Sequence, residues 1–350
     1  MSEQERVRPG DVWVFIEQER GIVHPVSWEL LGIGRQLAEK TGDRLSAVLL
    51  GHKVDFLVEE TWEYGADIVY LASHPSLEYY RTYPYRKVIE ALSRKYRPNI
   101  FLFGATTLGR DLAGAVATSL ETGLTADATV LEVDGESRQL LASRPTFAEN
   151  LMATIVCPDP KHIPQMVTVR PRTFSIPPRK SGRKGEVSLF EVRLPDETAM
   201  PTRILEFIPA SQSDTVALEY AEIIVSGGRG LGSRSGFDLI REAAEALGGK
   251  VGASRAVVDA GWISPMHQVG LTGKTVRPKL YLACGISGAI QHLVGMRHSD
   301  FIVAINTDPN APIFQVADVA IVGDLYEILP LLIEEVKKWR MEKGGKIPNG

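Results

Sequence analysis

Residues 222–236 read EIIVSGGRGLGSRSG, and the residues that follow, Phe237–Leu247, are amphipathic. A β-branched apolar run, Ile223–Val225, breaks into a glycine-rich turn that opens a helix. In α/β folds this is where phosphates dock, because glycine lets backbone N–H groups come close to an anion. The turn matches neither GxGxxG nor GxxxxGK[ST], since no Lys-Ser or Lys-Thr follows Gly232. Taken alone it is compatible both with a nucleotide site and with a merely tight turn.

The alternation continues downstream: VGASRAVVDAG, the strand KLYLACG, a helix from Ser287, the strands FIVAIN and VAIVGD, and a C-terminal helix. This series predicts an α/β domain. Upstream, Pro177 to Glu206 is rich in Pro, Lys, Arg, Gly and Glu and reads as a connection carrying an edge strand. The boundary is placed near Ser211, giving domains 1–210 and 211–350. In the first domain Val12–Ile16, Leu45–Leu50, Ile68–Leu71 and Ile100–Phe103 read as buried strands. Ser27 is expected to cap a helix over Leu30, Leu31, Ile33 and Leu37 that Gly42 closes, and a second helix spans Gly109 to Leu120. After Gly123 the apolar residues fall at period two, which predicts an antiparallel edge. The predicted fold class is therefore α/β, with two doubly wound domains, the first a parallel sheet with an antiparallel edge.

The composition excludes several functions. With 350 residues, 44% hydrophobic and 23% charged, the chain suits two globular domains. A net charge of -4 offers no basic footprint for nucleic acid. No apolar run approaches the roughly 20 residues needed to span a bilayer. The polar N-terminus, MSEQERVRPGD, has no secretory core, so a cytoplasmic location is expected. Cys157 and Cys284 stand without a CxxC or His/Cys cluster, which leaves no metal or Fe–S site, and both read as buried small hydrophobes.

Two further stretches suit a nucleotide. CGISGAIQHLVGM ends a strand in glycine, and Ser287 offers free N–H groups for a pyrophosphate. In NTDPNAPIFQVADVAIVGDLYEI, Asn306 ends a strand and Asp324 caps the last helix, both suited to ribose or adenine edges; turn and capping roles are the competing explanation. No turn rule asks for Arg255 between Ser254 and Ala256, so it is a candidate for favouring an anionic reduced ring, against a plain surface salt bridge.

Taken together, SGGRG (Ser226–Gly230), VGASRAVVDAGW (Val251–Trp262), QVGLTGK (Gln268–Lys274), GISGAIQHLVGM (Gly285–Met296) and AINTDPNAPIFQVADVAIVGDL (Ala304–Leu325) resemble the electron-transfer flavoprotein alpha subunit family. Looser similarity runs through FGATTLGRDLAGAVA, RPTFAENLMATI and IPQMVTVRP in the first domain, so it spans nearly the whole chain. The resemblance implies a Rossmann-like second domain holding one FAD. Arg229 and Ser254 would contact its phosphates and linker, and Arg255 its isoalloxazine ring. Thr272 would hydrogen-bond flavin N5, backed by Val269, Gly270 and Leu271. Ser287, Gly288, Ala289, Ile290, Gln291 and His292 would line the pyrophosphate and ring, His292 near the C2 carbonyl. Asn306, Asp324 and Leu325 would hold the adenosine end. Leu271 stands where the family usually has Gln, so one polar contact near the ring is lost.

The resemblance further implies a beta subunit carrying FAD or AMP, with flavin dehydrogenases and a quinone oxidoreductase or ferredoxin as redox partners. Arg144 of RPTFAEN would face the partner's flavin. Because plain carriers also keep an arginine there, the motif does not decide between a carrier and an NADH-dependent bifurcating member. The alternative reading, an NAD(P)-dependent two-domain dehydrogenase, lacks GxGxxG and any constellation for substrate chemistry.

Overall fold

The computed structural model describes residues 10–146, 151–157, 159, 162–207 and 218–342. Two compact units divide the chain, Met1–Phe207 and Ile208–Gly350. The boundary expected at Ser211 lies outside the described residues.

In the first unit β1 (Gly10–Ile16) leads through a small hairpin, β2 (Gln18–Glu19) and β3 (Ile22–Val23), into α1 (Val26–Thr41). Then follow β4 (Leu45–Gly51), α2 (Leu57–Glu63), β5 (Ile68–Ser73), α3 (Thr82–Tyr96), β6 (Pro98–Gly104) and α4 (Thr107–Leu120). Strands β7 (Leu124–Ala128), β8 (Val130–Val133), β9 (Leu140–Thr146), β10 (Leu151–Ile155), β11 (Gln165–Val169) and β12 (Glu186–Leu189) complete it. The main sheet runs β12-β5-β4-β1-β6-β11-β7, and every pairing in it is parallel.

Both faces of this sheet are covered, which is why its central strands are continuously apolar. Val12, Val14 and Ile16 pack with α1 and α2, while Trp13 and Phe15 pack with α3 and α4. The same alternation sorts Leu45, Ala47 and Leu49 from Val48 and Leu50.

Three expectations are corrected here. The antiparallel pairing does not extend the parallel sheet; it forms a separate sheet, β10-β9-β8. Period two marks a strand facing two environments but does not name its partner. Ser27 lies inside α1, and its Oγ accepts from the Glu17 N–H at 2.9 Å, tying the helix to the end of β1 instead of capping it. Cys157 is half-buried, whereas Cys284 is fully buried.

The second unit consists of β13 (Ile223–Gly227), α5 (Gly236–Leu247), β14 (Lys250–Ala253), α6 (Arg255–Asp259), β15 (Leu280–Cys284), α7 (Ile290–Leu293), β16 (Ile302–Asn306), β17 (Val319–Val322) and α8 (Leu325–Glu342). Its sheet, β14-β13-β15-β16-β17, is also wholly parallel. Ser287 does not open a helix: α7 begins only at Ile290, because the Ser287 carbonyl is held at 3.0 Å by the Ile313 N–H.

Candidate functional site

The strand order of the second unit reverses between β13 and β15: from β13 the chain crosses to β14 on one side, and from β15 it proceeds to β16 and β17 on the other. Ligands of open α/β sheets bind at such a switch point, outside the carboxyl ends of the strands. Here the turns after β13 and β15 lie backbone against backbone. The Gly228 N–H donates to Cys284 O at 2.9 Å, and the Gly230 N–H to Gly285 O at 2.9 Å. A Cβ on Gly228 would lie 2.3 Å from Gly285 O, and one on Gly230 would lie 2.7 Å from Gly285 Cα. Glycine is thus required for the approach itself.

The remaining loops gather at the same edge. The Ser254 N–H donates to Gly227 O at 3.0 Å, and the Val269 N–H to Ala253 O at 2.9 Å, so both follow the end of β14. Gly270, at φ 143°, lets the loop 269–273 lie on the 289–295 segment, where the Leu271 N–H donates to Gln291 O at 2.7 Å. Gly288, at φ 90°, sits against Ile313, where a Cβ would lie 2.2 Å from the Ile313 nitrogen. Asn306 Nδ2 donates to Ile286 O at 3.0 Å, tying the end of β16 to the turn after β15. Asp324 Oδ1 accepts from the Tyr326 N–H at 2.8 Å at the start of α8.

Side-chain exposure sorts the candidates. Arg229, Arg255, Thr272, Ser287, Ala289 and Gln291 are exposed, and Leu271 and Ile290 present apolar surface at 58% and 66% exposure. Among the described residues no carboxylate pairs with Arg229. Arg255 Nε lies 3.1 Å from Asp259 Oδ2, the surface ion pair that was the plainer explanation for it. Ser254 and Asn306 are half-buried, while Val269, Gly270, Gly288 and Leu325 are buried.

His292 departs from the expectation of a ring aimed at a ligand carbonyl. It is buried, its Nδ1 3.0 Å from Val269 O and its Nε2 3.0 Å from Tyr281 Oη, so both nitrogens are engaged inside the protein. Burial lowers its pKa to about 4, against the opposing pull of the Val269 carbonyl, and keeps the ring neutral. Leu325 likewise turns its side chain into the core beside Leu329 and Ile333. Three participants escaped the sequence reading: Tyr281, Gln268, whose Nε2 donates to Thr272 Oγ1 at 3.1 Å, and Tyr326, whose hydroxyl donates to Leu231 O at 2.7 Å. Only Gly270 and Gly273, which follow Gln268, signalled that anything here was constrained.

In the first unit Arg144 lies on β9, and its buried Nε has no hydrogen-bond partner among the described residues. It adds to the positive field of Arg170 and Arg110 around Asp127, whose carboxyl is held below its usual range by those cations despite burial. Burial pushes the Cys284 thiol up, away from nucleophilic chemistry. Among the described residues no His, Cys, Asp and Glu group is placed to hold a metal, and no helix is long and apolar enough to cross a membrane.

Family comparison matches residues 12–195 to the electron transfer flavoprotein domain and residues 217–297 to the electron transfer flavoprotein FAD-binding domain. An electron transfer flavoprotein subunit alpha of Thermoanaerobacterium thermosaccharolyticum is 53% identical over 94% of this chain and 98% of its own length. The chain belongs to the electron-transfer flavoprotein alpha subunit family. Another member, from Megasphaera elsdenii, is 49% identical over 93% of this chain and 96% of its own, and a protein FixB of Azorhizobium caulinodans is 49% identical over 92% and 87%. The match to the flavoprotein family's FAD-binding domain takes in the turns after β13 and β15, the loop 269–273 and α7; Asn306, Asp324 and Leu325 lie beyond it.

Proposed function

We propose that the second unit binds one FAD along the carboxyl ends of its sheet. Paired with a beta subunit, the chain then passes electrons between flavin-linked dehydrogenases and a quinone-linked or ferredoxin-type acceptor. The observation that carries this reading is the pair of glycine turns locked together at the switch point, within the span similar to an FAD-binding domain.

The residues present fit the group. Backbone too close for any Cβ, the exposed Arg229 and the Ser254 and Ser287 hydroxyls suit a pyrophosphate. Leu271 and Ile290 offer an exposed apolar face to a flat ring, and Thr272 offers a hydroxyl beside it. The carboxylate of Asp324 and the amide of Asn306 suit ribose and adenine edges. When bound, FAD supplies reversible uptake and release of electrons. The chain's part is to hold the phosphates with Arg229 and the glycine turns, and to set donors such as Arg255 and Thr272 where negative charge develops.

The exposed apolar residues of β10, Leu151 and Met152 at 59% and 54%, support docking of the beta subunit on the first unit. Arg144, half-buried on β9 beside that strand, would face the partner's flavin. The test is the flavin identity and count of the complex purified with its natural beta subunit, followed by stepwise NADH reduction. Absence of FAD contradicts the reading. Two FADs reducible by NADH assign a bifurcating member, and one FAD plus AMP without NADH reduction assigns a plain carrier.

A further inference from the structure

Gln268 stands at the foot of the loop that carries Thr272. The loop closes on itself, with the Lys274 N–H donating to Gln268 O at 2.7 Å and the Gly273 N–H to Gly270 O at 3.0 Å. It is tethered outward as well, through the Val269 N–H to Ala253 O at 2.9 Å, the Leu271 N–H to Gln291 O at 2.7 Å and Lys274 Nζ to Glu219 Oε1 at 2.5 Å. Gly273 is pressed so closely onto Gln268 that a Cβ there would lie 2.4 Å from its carbonyl oxygen. The backbone beneath Thr272 is therefore fixed. What remains free is the rotation of an exposed hydroxyl.

A hydroxyl has one proton to donate and two lone pairs to accept with. Gln268 Nε2 donates to Thr272 Oγ1 at 3.1 Å, which occupies a lone pair on the side of the loop and turns the proton away from the amide. A freely turning hydroxyl spreads its proton over several directions, whereas this one is polarised and directed outward. We propose that Gln268 is a positioning residue that holds Thr272 as an outward hydrogen-bond donor and so raises the reduction potential of the flavin. The inference rests on the FAD reading above. Gln268 touches no part of the cofactor in it and acts only through Thr272.

The test is the midpoint potential of bound FAD, read by spectroelectrochemistry on the alpha–beta complex, for Thr272→Val, Gln268→Met and the double variant. Thr272→Val is expected to lower the midpoint, Gln268→Met to lower it by a fraction of that shift, and the double variant to match Thr272→Val. If Thr272→Val lowers the midpoint while Gln268→Met leaves it unchanged, the positioning role is overturned and the FAD reading stands. The positioning role is overturned equally if the Gln268→Met shift persists in full beside Thr272→Val, since the amide then acts by another route. An unchanged midpoint in Thr272→Val overturns the placement of Thr272 at the ring, and this inference with it. Gln268→Leu is read in the same way if Gln268→Met does not assemble.

Discussion

His292 and Glu17 are buried titratable groups whose pKa values move in opposite directions. His292 is lowered to about 4 by burial, so its neutral ring supports the fold: that stability is present above the unfolded value of 6.5 and is lost as pH falls through 4. Thermal melts of the complex from pH 7 to pH 4.5 are expected to show a falling Tm that His292→Gln flattens; equal slopes would contradict the buried neutral ring. Glu17 is raised to about 7, burial outweighing the hydrogen bond from Thr106 Oγ1 at 2.6 Å. Its contribution is present below 4.5 and lost as pH rises through 7. Glu17→Gln is expected to be more stable than wild type at pH 8, by up to roughly 3 kcal/mol, and to match it at pH 4.5. No gain at pH 8 would mean that the carboxylate is well solvated. The place of His292 beyond the turn after β15 was legible in GISGAIQHLVGM, but its ring direction was not. That direction depends on Tyr281, in a strand whose apolar pattern carries no hint of a hydroxyl partner.

The parallel strands were legible as elements because burial on both faces writes them as unbroken apolar runs. The glycine turn after β13 was legible as a turn, but its glycines suit a tight turn as well as a close backbone approach, and the approach is made at Gly228 and Gly230. Gly228→Ala, whose Cβ would lie 2.3 Å from Gly285 O, is therefore expected to destabilise by on the order of 1–3 kcal/mol and to reduce FAD content. Gly232, at φ 71° with open space around it, is expected to cost only about 1 kcal/mol on change to Ala. Comparable melting temperatures for the two variants would contradict the backbone contact. The partners of β8, β9 and β10 were not legible, because alternation fixes a strand's faces and leaves its pairing to distant residues. The late start of α7 was hidden for a similar reason: Ser287 has a capping side chain, but its carbonyl is taken by Ile313, far along the chain.

At the scale of the whole molecule the chain is two α/β units, and all the FAD-contact candidates of the second unit fall at one edge of one sheet. This convergence could not be read from any one motif, since SGGRG, VGASR and GISGA each suit an ordinary turn. Their order and spacing carried the resemblance, and the strand order β14-β13-β15-β16-β17 supplies its physical reason by putting the switch point between β13 and β15, at whose carboxyl ends the two glycine turns meet. Arg229 tests that switch point with little packing cost, because it is exposed and among the described residues has no ion-pair partner. The decisive measurement is the FAD dissociation constant of the alpha–beta complex carrying Arg229→Glu beside wild type, with Tm recorded in parallel. Affinity is expected to weaken by about tenfold or more, corresponding to roughly 1.4 kcal/mol, at unchanged Tm of the flavin-free complex. Undiminished FAD affinity in Arg229→Glu would contradict a cofactor held at the switch point of the second unit.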